Sequence, residues 1–172
     1  AAPTPTPTLP SHGIALPTAY ITHPSSLLHD MGPYHPECPD RLHAINDRLI
    51  ASGLDAYLHY YTALPATREQ LARVHGEAYI DSLEQASPET GLHFIDPDTA
   101  LNPHTLDAAK HAAGALVLAT DLVMRRECRG VFCAVRPPGH HAERNRAMGF
   151  CLFNNVAVGA AHALEAHGVE RV

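Results

Sequence analysis

Short apolar runs alternate along this chain with longer stripes at helical spacing, and that alternation predicts its elements. Gly13 to Thr22 carries Ala19, Tyr20 and Ile21 and reads as a first strand. From Pro39 to Ser52, Leu42, Ile45 and Leu49 fall on one helical stripe, and Gly53 supplies a left-handed stop. Tyr57 to Leu64 reads as a second strand. Thr67 and Gln70 have capping-box spacing and open a short helix through Val74. Glu77 to Gln85 predicts another helix, with Tyr79, Ile80 and Leu83 inward. Asn102 followed by Pro103 reads as a side-chain cap and then proline in the first turn. The helix it opens runs to about Arg126, and the small residues Ala112 to Ala115 let another element come close. Val131 to Val135 is a continuous apolar run after Gly130, the pattern of a central strand covered on both faces. Asn155 to His167 is a second Ala-rich helix with Gly168 as its stop, and Val169 to Val172 reads as the start of a further strand.

Strand, loop, helix and strand in this order imply crossover units and a mostly parallel α/β sheet with helices on its faces. Such sheets bind ligands at the carboxyl ends of their strands. The loop after Val135 is therefore the place to look for chemistry.

Composition narrows the function classes. Residues 1–12 are rich in Pro and Thr and read as an extended lead-in to a folded part over 13–172. This lead-in has neither the charged nor the apolar region of a signal peptide. No run approaches the ~18 apolar residues that span a bilayer, so no membrane partner is expected. A formal charge of −6 argues against direct nucleic-acid binding. Arg125, Arg126 and Arg129 cluster at a helix end, where they complement the helix dipole. Cys38, Cys128, Cys133 and Cys151 form no CxxC pair, which argues against a zinc knuckle. They read as reduced thiols of a cytoplasmic or nuclear protein that is not secreted.

The loop holds Arg136-Pro137-Pro138-Gly139-His140-His141, and further on Gly149-Phe150-Cys151. Side chains of adjacent residues on an extended strand point opposite ways, so bringing both imidazoles to one site needs a bent backbone. Pro137, Pro138 and Gly139 can provide it. Two such histidines can divide proton transfers near neutral pH. On spacing alone two other arrangements stay open: one packed histidine with one solvated, or a metal pair completed by further ligands. Phe150 alone reads equally as a core aromatic, Asp98 as an ordinary Asp-Pro-Asp turn residue, and Asn154 as the cap of the last helix. Arg41 has Glu37 or Asp40 as a simple ion-pair partner.

Together these segments carry a resemblance. Arg136 to Ala142 (RPPGHHA) and Met148 to Val158 (MGFCLFNNVAV) resemble the signature of class II histone deacetylases and the related bacterial amidohydrolases. His35-Pro36-Glu37-x-Pro39-x-Arg41-Leu42, Val74-His75 with Tyr79-Ile80, and Asp96-Pro97-Asp98-Thr99 match the same family in order and spacing. Cys38 departs from the Arg often found there.

The resemblance implies the three-layer arginase/deacetylase-like fold, here covering its N-terminal portion. It implies zinc-dependent hydrolysis of the acetyl amide of acetyl-lysine, on a histone or another protein. His141 would be the general base and then acid, and His140 would support the transition state. Gly149 and Phe150 would wall a lysine tunnel, and Asp98 would be a rim carboxylate binding the substrate backbone. The zinc ligands would lie beyond residue 172, so no metal ligand is expected within this chain and it is expected to be inactive by itself. An acetylpolyamine or other small amide is an alternative substrate, and a non-catalytic binding or pairing portion is an alternative of another class.

Overall fold

The structure, a computed structural model, describes residues 16–172; the expected lead-in and the stretch 13–15 of the expected first strand lie outside the described residues. The elements run β1 (Thr18–Thr22), α1 (Ser25–Leu28), α2 (Asp40–Ala51), a 3₁₀ turn (Asp55–Tyr57), β2 (Leu58–Thr62), α3 (Arg68–Ala72) and α4 (Glu77–Ala86). Then follow β3 (His93–Asp96), β4 (Thr99–Leu101), α5 (Thr105–Met124), β5 (Gly130–Cys133) and α6 (Asn155–His167).

β1 pairs in parallel with β2 on one side and β5 on the other. Alternation along β1 then sorts the two faces. Ala19 and Ile21 pack with Ala115, Leu122 and Cys128 beneath α5. Tyr20 points the other way, onto Leu42 with Ile45 and Leu49 of α2. Helices thus cover both faces of an open parallel sheet, the expected three-layer α/β arrangement. A third core cluster joins α3, α4, α5 and α6 through Leu71, Ile80, Ala113, Phe153 and Val158.

The local signals hold where they are chemically explicit. Thr67 and Gln70 make both capping-box bonds, Asn154 caps α6 through the Ala157 N–H, and Gly168 ends α6 at φ 64°. The small segment of α5 is where the chain leaving β2 crosses it: a Cβ on Gly114 would sit 1.8 Å from the Leu64 carbonyl oxygen.

Three expectations are corrected, and one feature is new. The Val131–Val135 run forms an edge strand among the described residues, with Phe132 48% exposed; β1, hydrogen-bonded on both sides, is central. α5 starts at Thr105, because Asn102 Oδ1 accepts from the His104 N–H and the Thr105 hydroxyl, locking a turn that delays the helix. Val169–Val172 is not a strand; it has no ladder partner among the described residues. The antiparallel hairpin of β3 and β4 was not foreseen, and Pro97-Asp98 is its turn.

Candidate active site

Three loops at the carboxyl ends of the strands enclose one cavity of about 390 Å³. The loop after β1 contributes Pro36, Glu37 and, at the start of α2, Arg41; the hairpin turn contributes Asp98; the loop after β5 contributes Pro138, His140, His141, Gly149 and Phe150. All five residues singled out from the sequence, Asp98, His140, His141, Gly149 and Phe150, are therefore brought together. His140, His141 and Asp98 are exposed at this cavity.

A buried ion pair joins the first and last of these loops. Arg136 is 0% exposed, a costly place for a charge unless every donor is met. Its Nε and Nη2 donate to Glu37 Oε1 and Oε2 at 2.6 and 2.7 Å, and Nη1 donates to the Ser26 and His29 carbonyls at 2.7 and 2.8 Å. Arg41 adds a third contact, Nη1 to Glu37 Oε1 at 2.8 Å. Burial alone would push the Glu37 carboxyl up, but hydrogen bonding and charge hold it at about 2. We assign that lowering chiefly to the bidentate Arg136 contact. His29 Nε2 stands 3.5 Å from Oε2 and makes no hydrogen bond, so its help is electrostatic only.

The far side of the loop is pinned by His75. This buried ring accepts the Asn154 N–H at Nε2 (2.9 Å), so its proton sits on Nδ1, facing the Arg144 carbonyl at 3.3 Å. Burial lowers its pKa and keeps it neutral. The Tyr79 hydroxyl donates to the Leu152 carbonyl at 2.7 Å, fixing the same segment. Gly139 faces the Phe153 carbonyl and the Asn155 N–H, where a Cβ would sit 2.4 Å from each. This close approach sets the start of the histidine pair.

His140 and His141 lie with ring centroids 4.2 Å apart at 52°. Among the described residues neither ring has a side-chain or backbone hydrogen-bond partner, so both ring edges are open to a ligand in the cavity. Gly149 and Phe150 are consecutive left-handed residues, φ 56° and 70°. Thr99 Oγ1 accepts the Phe150 N–H at 3.0 Å and donates to Asp98 Oδ1 at 2.9 Å, tying the wall to the rim. His35 meets the Phe150 ring edge-on, centroids 4.7 Å apart. Its Nδ1 accepts the Glu37 N–H, leaving Nε2–H toward the Asp98 carbonyl at 3.4 Å.

Sequence reasoning missed Arg136, Thr99 and the anchoring role of His75. An arginine directly after an apolar strand, facing a glutamate in another loop at the same sheet edge, was the available signal for the first. The cavity's own donors do not form a three-ligand metal set. Its imidazoles come from adjacent residues, and Glu37 is committed to two arginines. Groups of three such donors occur elsewhere, at His23, Asp107 and His111 and at Asp121, His162 and His167.

A model of the histone deacetylase domain matches residues 35–172. The chain belongs to the histone deacetylase family. Among curated relatives it is 41% identical over 157 residues to an uncharacterized protein of Synechocystis, covering 90% of this chain and 51% of that one. It is 37% identical to the histone deacetylase-like amidohydrolase of Pseudomonas aeruginosa, covering 80% of this chain and 36% of that protein. Against rat polyamine deacetylase HDAC10 the identity is 36%, over 79% of this chain and 24% of that protein. The crystal structure of the HDA15 HD domain superposes with a TM-score of 0.82 at 34% identity, over 88% of this chain and 44% of that one. This histone deacetylase family chain thus spans about half or less of the length of these relatives. Among the described residues no helix is long and apolar enough to cross a membrane, and Cys38, Cys128, Cys133 and Cys151 are free thiols.

Proposed function

We propose that this chain forms the proton-transfer wall and part of the substrate channel of a deacetylase that hydrolyses the acetyl amide of a lysine side chain. The observation that carries this reading is the convergence of Asp98, His140, His141, Gly149 and Phe150 on one cavity. Its volume suits a small-ligand site. His141 takes a proton from the attacking water and passes it to the leaving amine as the C–N bond breaks. His140 offers a second imidazole to the charge that develops. Gly149 and Phe150 line the aliphatic stem, and Asp98 at the rim accepts hydrogen bonds from the substrate backbone. Zinc dependence is part of the proposal through the family resemblance, with ligands beyond residue 172. The cavity's donors do not fit the ion by themselves, so every step above belongs to this chain's own side chains.

The test is turnover of acetyl-lysine peptides by the full-length protein. His141→Ala should lower the chemical step by ~10²–10⁴-fold, and near wild-type turnover would remove His141 from the mechanism. The polyamine deacetylases among the relatives favour one competing substrate, an N-acetylated polyamine. A higher kcat/KM on that substrate than on the peptide would move the reading to it.

A further inference from the structure

Remote from the cavity, three donors converge between α5 and α6. Asp121 Oδ1 lies 2.8 Å from His162 Nε2 and 2.7 Å from His167 Nε2. The two imidazoles are set edge to face at 83°, centroids 5.6 Å apart, so their Nε2 atoms point at one spot from different planes. Both helices begin near the cavity, where Thr105 bonds His29 and Asn155 packs on Gly139. At 1.5 Å per residue, Asp121 is about 24 Å along α5 from Thr105 and His167 about 18 Å along α6 from Asn155.

The three side chains offer one ligand atom each, all within 4.8 Å of one another, from two packed helices. Two N–H donors on Asp121 Oδ1 would also satisfy both Nε2 atoms without an ion, and titration with the metal separates the two states. Among the described residues His162 Nδ1 has no partner; it lies on the other side of the ring and takes no part in the site. The other cluster, His23, Asp107 and His111, fails a geometric comparison. Its rings stack at 3.5 Å and 5°, so their lone pairs run parallel and do not meet. Asp107 there is 60% exposed.

We propose that Asp121, His162 and His167 bind one zinc-type divalent ion that clamps the carboxyl-terminal ends of α5 and α6. Two imidazole nitrogens and one carboxylate oxygen suit a borderline transition ion and not magnesium or calcium, which favour oxygen donors. Zinc bonds of ~2.0–2.1 Å would spread donors now 2.7–2.8 Å apart by about half an ångström. The structure permits that movement. His167 is the last residue of α6, and the Asp121 and His167 side chains are 21% and 17% exposed. The same exposure leaves a fourth position for water. Arg125, 3.5 Å from Asp121 Oδ2 and 61% exposed, can swing away as the ion's charge arrives. This inference stands apart from the deacetylase reading, since it uses no cavity residue.

The experiment is calorimetric titration of chelator-stripped chain with Zn²⁺, and with Co²⁺ for its absorption spectrum. One equivalent should bind with a tetrahedral cobalt spectrum, and saturating zinc should raise the melting temperature. Asp121→Asn and His167→Gln keep the shape and polarity of the cluster. Each should weaken binding by roughly tenfold or more, since even outer-shell changes cost that much. The double variant His140→Ala, His141→Ala should bind as wild type does. Absence of saturable binding overturns the proposal. So does binding that survives His167→Gln, or that disappears with the cavity histidines.

Discussion

Gly149 and His141 are packed so closely that a Cβ on Gly149 would lie 2.8 Å from His141 Cδ2 and 3.0 Å from its Cβ and Cγ. The absence of a side chain at one residue thus fixes where the imidazole of the other can stand. Gly149 is also left-handed, φ 56°, which a residue with a Cβ adopts at a cost of ~1–2 kcal/mol.

Gly149→Ala should therefore do two things, and a control separates them. Gly91 is left-handed as well, φ 71°, but a Cβ there would meet nothing within 4 Å. Gly91→Ala should lower stability to urea by about 1 kcal/mol and leave the site alone. Gly149→Ala should lose at least as much and also shift the His141 ring resonances. Unmoved His141 resonances in Gly149→Ala would mean that the ring is not held by this contact.

The Glu37–Arg136 pair predicts how stability depends on acid. Glu37 titrates at about 2 in the folded chain, against 4.5 for the free group. A lowered carboxylate pKa contributes stability that is complete above 4.5 and is lost as pH falls from there through 2. The difference corresponds to about 3 kcal/mol. Urea midpoints measured across that window should fall in the wild type and stay flatter in Glu37→Gln. Arg136→Met, which leaves the buried Glu37 carboxylate with Arg41 alone, should cost ~3–5 kcal/mol at neutral pH, and the double variant less than the sum of the two.

Which parts of this were readable from the chain follows from how far each interaction reaches. The capping box of Thr67 and Gln70, the Asn154 cap and the Leu42, Ile45 and Leu49 stripe act within one or two helical turns, so their residues announce them. The identity of the apolar run at β5 was legible, but not its number of neighbours, because an apolar strand reads the same at an edge or in the middle. The β3–β4 hairpin carries His93 and Phe94 exposed and offers no alternation to read. The residues that converge on the cavity were picked out through family motifs; spacing alone left each with a plainer role. Arg136 was not read as a buried charge, because its partner Glu37 lies 99 residues earlier.

His75 predicts a second acid response, in a different window. Its burial lowers its pKa below 6.5. A lowered histidine pKa means that the unfolded chain takes up the proton first, so stability is full above 6.5 and declines as pH falls through the folded value. Protonation would put a hydrogen on Nε2, against the Asn154 N–H that it now accepts. The protection factor of the Asn154 amide, its exchange rate set against the intrinsic rate at the same pH, should fall as acidification protonates the ring. His75→Phe should remove that pH dependence and cost ~1–3 kcal/mol, because it leaves the Asn154 N–H without an acceptor. A protection factor at Asn154 that stays constant while the His75 ring resonances titrate would show that the ring does not hold this amide.

Phe150 separates function from stability at one position. Its left-handed backbone, φ 70°, is unfavourable for a bulky residue, and it is held by the Thr99 hydroxyl and the edge of His35. Phe150→Ala removes the ring and keeps the strained backbone; Phe150→Gly removes both. Phe150→Gly should thus be about 1 kcal/mol more stable than Phe150→Ala, since glycine adopts this conformation freely. Both should weaken a linear aliphatic hydroxamate in the full-length protein by a similar factor. That factor is roughly tenfold, for the ~1.4 kcal/mol of apolar burial that the ring would give the stem. Metal content should stay at the wild-type level in both. Loss of metal together with affinity would make Phe150 a structural residue and remove it from the channel. Equal stability of the two variants would mean that the backbone at this position is not strained.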